Sequence, residues 1–285
     1  MTLADRPFRS VLYIPGSKPR AIEKARGLPV DAIILDLEDA VAPDEKVSAR
    51  GILVEELAKG GFGSRYLLVR INGADTDWGA DDLAAFAPAA PDAILLPKVD
   101  DRAMMEAAAA SLTGQTTLWA MMETPDGILN ARDILTAPRA GGLVMGTNDL
   151  AKDLHCEPGA DRLPLITSLQ LCLLAARAAG APCIDGVYNA FKDDDGLHAE
   201  CKQGRALGMD GKTLIHPAQV AVANAVFAPS DAAADLARRQ IAAYEAAIAE
   251  GQGVAVLDGK IVENLHVDTA RRTLAKLDAI AKLEG

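Results

Sequence analysis

Apolar residues along this chain come in short, nearly unbroken runs that end abruptly in polar ones, and the alternation repeats eight times. The runs are SVLYIPG (10–16), AIILDLED (32–39), YLLVRIN (66–72), AILLPK (93–98), TLWAMME (117–123), GLVMGTND (142–149), CIDGVYN (183–189) and KTLIHP (212–217). Continuous apolar runs of this length predict strands buried on both faces, as in a parallel sheet. Between them lie stretches of helical period, such as AIEKARGL, PDEKVSARGILVEELAKG and MMEAAAASL, so the pattern predicts a repeated βα unit. Eight such units, with no GxGxxG turn after any strand, favour an α/β fold closed into a (β/α)8 TIM barrel over an open doubly wound sheet.

After residue 217 the pattern changes. A helix is predicted after HPAQ, and a long one over PSDAAADLARRQIAAYEAAIAEGQG, which starts with a Pro-Ser-Asp signal and stops at glycines. VAVLDGKIVEN reads as a β-hairpin turning at Asp258-Gly259, and HVDTARRTLAKLDAIAKL as a last helix. The division predicted is a catalytic barrel over residues 1–227 and a C-terminal helical and hairpin lid, or oligomerisation extension, over 228–285.

Composition sharpens this picture in three ways. Half of the residues are apolar and a quarter charged, enough for one large core without broad disorder. A net charge of −11 argues against a nucleic-acid or anionic-membrane partner, and any phosphate must be met by a local basic site. The four cysteines, Cys156, Cys172, Cys183 and Cys201, match no metal or disulfide spacing and are expected as free thiols. MTLADRPFRS has no secretory h-region, and no apolar stretch nears the roughly 20 residues of a membrane span. A cytoplasmic protein is expected.

Nearly every run delivers polar groups at its carboxyl end: Ser17 and Lys18, Glu38 and Asp39, Arg70 and Asn72, Lys98, Glu123, Asn148 and Asp149, Tyr188 and Asn189, and His216. In a barrel these ends form one rim, where catalytic residues sit. Glu123 and Asp149 end two strands, and converging carboxylates suit a Mg2+ ion that keeps positions open for substrate; their ordinary alternative is helix capping or a first-turn acid. Arg70 suits a substrate oxygen, or else an ion pair with Glu38 or Asp39. Asp36, Glu38 and Asp39 are read as a surrounding shell that orients Arg70 or metal-bound water. PGSKPR (15–20) offers backbone N–H groups, Ser17, Lys18 and Arg20 to a phosphate, or is an ordinary turn with solvated charges. His216 is expected to bond backbone. Trp119, Met121 and Met122 are expected more in the barrel core than in the pocket. No serine-nucleophile motif is present.

RSVLYIPGSKPR, AIILDLEDAVAPDEK, LLVRIN, ILLPKV, WAMMETPDGILN, MGTNDLAKDL and GKTLIHPAQV together resemble the citrate lyase β-subunit-like, or HpcH/HpaI aldolase, family of CoA-ester lyases, in order from about residue 8 to the end. The resemblance implies a (β/α)8 barrel, a homo-oligomer (trimer or hexamer), and Mg2+ (or Mn2+) acting on a CoA thioester. It implies Glu123 and Asp149 as metal ligands, with Glu123 also beside the substrate, Arg70 as substrate holder, and the PGSKPR turn at the CoA phosphates. Within the family, VYNAFKDDDGLHAECKQGRALGMDGKTLIHPAQ and DGKIVENLHV are most similar to the malyl-CoA thioesterase branch. Members that cleave a C–C bond usually carry an aspartate in a DGKMVD-like segment, where Glu263 stands here. The extra methylene moves that carboxylate about 1.5 Å, from deprotonating an acetyl methyl toward activating water. The expected reaction is Mg2+-dependent hydrolysis of (3S)-malyl-CoA, with Glu263, from its own or a neighbouring subunit, as base. The alternatives are malyl-CoA or β-methylmalyl-CoA cleavage to glyoxylate plus an acyl-CoA, and a citrate-lyase-type β subunit acting beside partner chains.

Overall fold

Each of the eight apolar runs forms one parallel strand, and the strands close into a barrel in sequence order: β1 (Ser10–Pro15), β2 (Ala32–Asp36), β3 (Tyr66–Arg70), β4 (Ala93–Leu96), β5 (Thr117–Met122), β6 (Ala140–Met145), β7 (Cys183–Asp185) and β8 (Gly211–Leu214). The computed structural model describes residues 3–284. Closure is made by β1, whose Val11 lies opposite Ala32 of β2 on one side and Thr213 of β8 on the other. The connections carry α1 (Pro19–Ala25), α2 (Lys46–Lys59), α3 (Gly79–Ala89), α4 (Arg102–Ser111), α5 (Pro125–Leu129), α6 (Ala131–Ile134), α7 (Thr147–Asp153), α8 (Ile166–Ala179) and α9 (Asp194–Leu207), and α10 (Val220–Phe227) follows β8.

Alternation along the strands decides which residues reach the interior, because successive side chains take opposite faces. Leu12, Ile14, Leu35, Val69, Ala120 and Met122 join the apolar cluster beneath the helices. Their neighbours Tyr13, Asp36, Arg70 and Met121 therefore point into the barrel. Near the amino ends of the strands, Trp119 packs edge-on against Phe8 at 5.2 Å and beside Tyr66 at 5.9 Å. Gly142 makes room for that indole, since a Cβ there would stand 2.8 Å from its ring. Side chains fill this end of the barrel, as they do in barrels of this strand number.

The strands stop short of the runs that predicted them. Leu37 to Asp39, Ile71 and Asn72, Lys98, Glu123 and residues 146–149 all lie beyond the last strand residue. The chain leaves the ladder where the polar residues begin, so those side chains sit on loops and first helical turns.

Contacts divide the chain into two compact units, Phe8–Phe227 and the residues from Ala228 onward grouped with the short segment before Phe8. In the second unit, Ser230 Oγ accepts the Ala233 N–H at 3.2 Å and starts α11 (Asp231–Ala249). β9 (Ala255–Leu257) and β10 (Lys260–Val262) form the hairpin, with Asp258 and Gly259 at φ 50° and 74°, the left-handed pair a tight two-residue turn requires. α12 (Asn264–Glu284) packs on α11, and Ala247, Ala255, Val262 and Val267 form this unit's own small core. Among the described residues no helix is long and apolar enough to cross a membrane.

Candidate active site at the carboxyl ends of the strands

Arg70, the last residue of β3, is buried and held from several sides. Its Nε donates to Asp36 Oδ1 at 2.7 Å and its Nη2 to Asp36 Oδ2 at 2.6 Å, a two-pronged pair. Nη1 lies 2.7 Å from Glu38 Oε2, and donates to Asp39 Oδ2 at 3.4 Å. The Glu38 approach is off the N–H direction, so that oxygen has an ion-pair partner and no hydrogen bond. The guanidinium also stands 4.9 Å from the centre of the Tyr13 ring, a cation–π arrangement. Asp36 in turn accepts the N–H groups of Glu38 and Ala40 at 3.0 and 3.1 Å, folding the β2 loop around the pair. Burial pushes the Glu38 carboxyl up to about 7, outweighing the opposing charge of Arg70.

Glu123 follows β5 on the inward side and is 2 % exposed. Helix capping does not explain it, because Thr124 is the cap of α5, its Oγ1 accepting the Gly127 N–H at 3.1 Å. Gly146 makes the close approach possible, since a Cβ there would be 2.4 Å from Glu123 Oε2. Burial raises the Glu123 carboxyl above its ordinary range, against the Lys98 N–H that donates to Oε1 at 2.8 Å. Asp149 is a first-turn acid of α7 and bonds the Lys98 ammonium at 3.2 Å. Among the described residues no three His, Cys, Asp or Glu side chains gather as a metal cage. Two carboxylates beside an open cavity, with a cation already drawn to them, fit Mg2+, which takes one or two carboxylates and keeps water or substrate in its other positions.

These groups share one cavity of about 270 Å³, lined among others by Tyr13, Arg70, Met121, Glu123, Asp149 and Asn189. Across it Asn148 and Asn189 exchange amide hydrogen bonds at 3.3 and 2.9 Å and tie the β6 and β7 loops together. Met121 lines the cavity, while Trp119 and Met122 are core. Asn72 turns away from the cavity, its amide donating to Asp82 at 2.6 Å and its oxygen accepting Lys46 Nζ at 2.6 Å. His216 accepts the Ala218 N–H at 3.1 Å and stacks on Phe191, the backbone role expected of it.

In the PGSKPR turn, a Cβ at Gly16 would meet the Asp36 carbonyl at 2.9 Å, so glycine is what lets this turn press against β2. Ser17 Oγ is buried without a partner, Lys18 reaches Glu45 only loosely at 3.8 Å, and Arg20 is exposed. Glu263 is exposed in the C-terminal unit just ahead of α12, its N–H donating to His266 Nδ1 at 3.0 Å. All four cysteines are free. Lys98 was expected on the rim, with no task given to its ammonium; Tyr13 was given no role, although inward parity on β1 was the available signal for it.

A family model described as HpcH/HpaI aldolase/citrate lyase matches residues 9–217. The chain is 63% identical over 275 residues to a (3S)-malyl-CoA thioesterase of Cereibacter sphaeroides, covering 96% of each. It is 35% identical over 306 residues to an L-malyl-CoA/beta-methylmalyl-CoA lyase of the same species, covering 97% of this chain and 96% of the other. Among solved structures, protein CitE from Mycobacterium tuberculosis, in complex with magnesium, acetoacetate and coenzyme A, superposes with a TM-score of 0.81 at 28% identity, covering 96% of this chain and 98% of that one.

Proposed function

The chain belongs to the HpcH/HpaI aldolase/citrate lyase family, and on that premise we propose that it is a Mg2+-dependent enzyme hydrolysing (3S)-malyl-CoA. Water adds to the thioester carbonyl, the C–S bond breaks, and malate and CoA with its free thiol leave. The observation that carries this reading is the convergence of Glu123, Asp149 and Arg70 on one cavity. It occurs in a chain 63% identical to a relative named for this hydrolysis.

Glu123 and Asp149 are assigned as the metal ligands, and Mn2+ would suit the same oxygens. A bound Mg2+ supplies Lewis-acid polarisation and a counter-charge for the substrate's terminal carboxylate and hydroxyl. Arg70, immobilised by Asp36 and Glu38, turns its remaining N–H groups to a substrate oxygen on which negative charge grows, a donor already oriented before reaction. Glu263 is assigned as the base that takes a proton from the attacking water. Ser17, Lys18 and Arg20 are assigned to the CoA phosphates. A cytoplasmic homo-oligomer, trimeric or hexameric, with the C-terminal unit as lid, completes the proposal.

A paired assay of the purified protein with (3S)-malyl-CoA and Mg2+ tests the reading, with a disulfide reagent for free thiol and a hydrazine trap for glyoxylate. Free CoA without glyoxylate is the expected result. Glyoxylate without free thiol would overturn hydrolysis and establish the second reading, C–C cleavage, which the likeness to the lyase supports.

A further inference from the structure

Lys98 ends the fourth apolar run, and the function proposed above gives its side chain no task. Its backbone is left-handed, with φ 48°, a strained conformation for a residue bearing a Cβ. In this conformation its N–H meets Glu123 Oε1 at 2.8 Å, engaging one oxygen of that carboxylate. The same residue sends its ammonium to within 3.2 Å of Asp149 Oδ2, 3.7 Å of Glu38 Oε1 and 4.0 Å of Glu123 Oε1. Three carboxylates from the ends of three strands thus converge on a cation that the chain itself supplies. The lysine side chain is half exposed, so a flexible stem carries the charge in and can withdraw it without disturbing the core.

We propose that Lys98 is a placeholder cation. In the metal-free protein its ammonium offsets part of the negative charge of Glu123, Asp149 and Glu38 and keeps them converged, and a divalent ion takes the Glu123 and Asp149 oxygens by displacing it. The proposal rests on the assignment of Glu123 and Asp149 as metal ligands. Displacing a like charge from about 4 Å opposes binding, so removal of the ammonium tightens divalent affinity by about tenfold after allowance for solvent screening. It also leaves the metal-free carboxylates facing one another uncompensated. A lysine that only supported the local fold would behave in the opposite way, its loss weakening metal binding along with stability.

Calorimetric titration of the whole chain with Mn2+, paired with thermal melts with and without the ion, tests this in wild type, Lys98→Met and Lys98→Arg. Lys98→Gly is a second neutral variant that also relieves the left-handed backbone. Both neutral variants are expected to bind Mn2+ about tenfold more tightly and to show a larger Mn2+-induced rise in Tm. Lys98→Arg is expected to return affinity toward wild type. Equal or weaker affinity in the neutral variants, with wild-type binding intact, overturns the placeholder role and spares the ligand assignment. No Mn2+ binding in wild type or in either neutral variant overturns the ligand assignment and the placeholder with it.

Discussion

Splitting the Arg70–Asp36 pair should cost unequal amounts from its two sides. The side chains are 7% and 1% exposed, and removing one partner of a buried pair costs roughly 3–5 kcal/mol. Above about pH 8, where Glu38 is ionised, Asp36→Asn leaves Arg70 with Glu38 at 2.7 Å and Asp39 at 3.4 Å as counter-charges, which places its cost near the lower figure, about 3 kcal/mol. Arg70→Met leaves Asp36, Glu38 and Asp39 around a vacated cation position, which places its cost near about 5 kcal/mol. Replacing both members with apolar residues, Asp36→Leu with Arg70→Met, removes the most deeply buried charge but leaves Glu38 and Asp39 without their cation and the Glu38 and Ala40 N–H groups without their acceptor, so it should recover only part of the loss, while activity stays absent in all three variants. Urea unfolding of metal-free protein followed by tryptophan fluorescence measures this, because the two tryptophans, Trp78 and Trp119, both belong to the barrel unit. A loss in Asp36→Asn equal to or greater than that in Arg70→Met would refute the reasoning, as would a double variant no more stable than the worse single one.

Three further outcomes follow from the same geometry. Burial holds the Glu38 carboxyl up to about 7 against an ordinary 4.5, so the folded metal-free protein keeps a proton that the unfolded chain releases; this group's contribution to stability is fullest below about pH 4.5 and is lost as pH rises through 7, by of order 3 kcal/mol. Glu38→Gln should flatten that slope in urea titrations at several pH values, and an unchanged slope would show that another group is responsible. Glu123→Gln keeps an oxygen for the Lys98 N–H but loses the charge, and should lower kcat/KM by at least about 100-fold and abolish Mn2+ binding by calorimetry; full activity in a chelator would remove the metal from the account. Glu263 is exposed, so Glu263→Gln should stop turnover yet alter stability by no more than about 0.5 kcal/mol, and Glu263→Asp should raise glyoxylate relative to free thiol in the paired assay; an unchanged product ratio would end the argument from side-chain length.

The barrel was legible because its strands are buried on both faces, which writes each one as a continuous apolar run with little else it could become. The hairpin was legible for a different reason, since Asp258-Gly259 supplies the two positive φ angles of its turn. At the site, legibility follows distance from the hydrogen-bonded ladder. Arg70 and Asp36 are still strand residues, in register with each other across β2 and β3, so alternation points both inward and their pairing could be anticipated. Asn72, two residues past Arg70, would share its face if the strand continued, yet β3 has already ended there and the side chain turns to Asp82 and Lys46. Parity therefore fails within two residues of the strand end, where loop conformation takes over. Lys98 is the sharper case, because the position of its ammonium depends on the sign of one backbone angle, which no hydrophobic pattern records. Tyr13 failed to stand out for the opposite reason: an aromatic ring in mid-strand reads as core, and only the cation beside it separates a lining residue from a packing one. The residues that bind and orient are thus drawn from both sides of the ladder's end, and those beyond it are fixed by glycines such as Gly16 and Gly146, whose missing Cβ atoms let neighbouring strand ends approach closely enough to share a cavity.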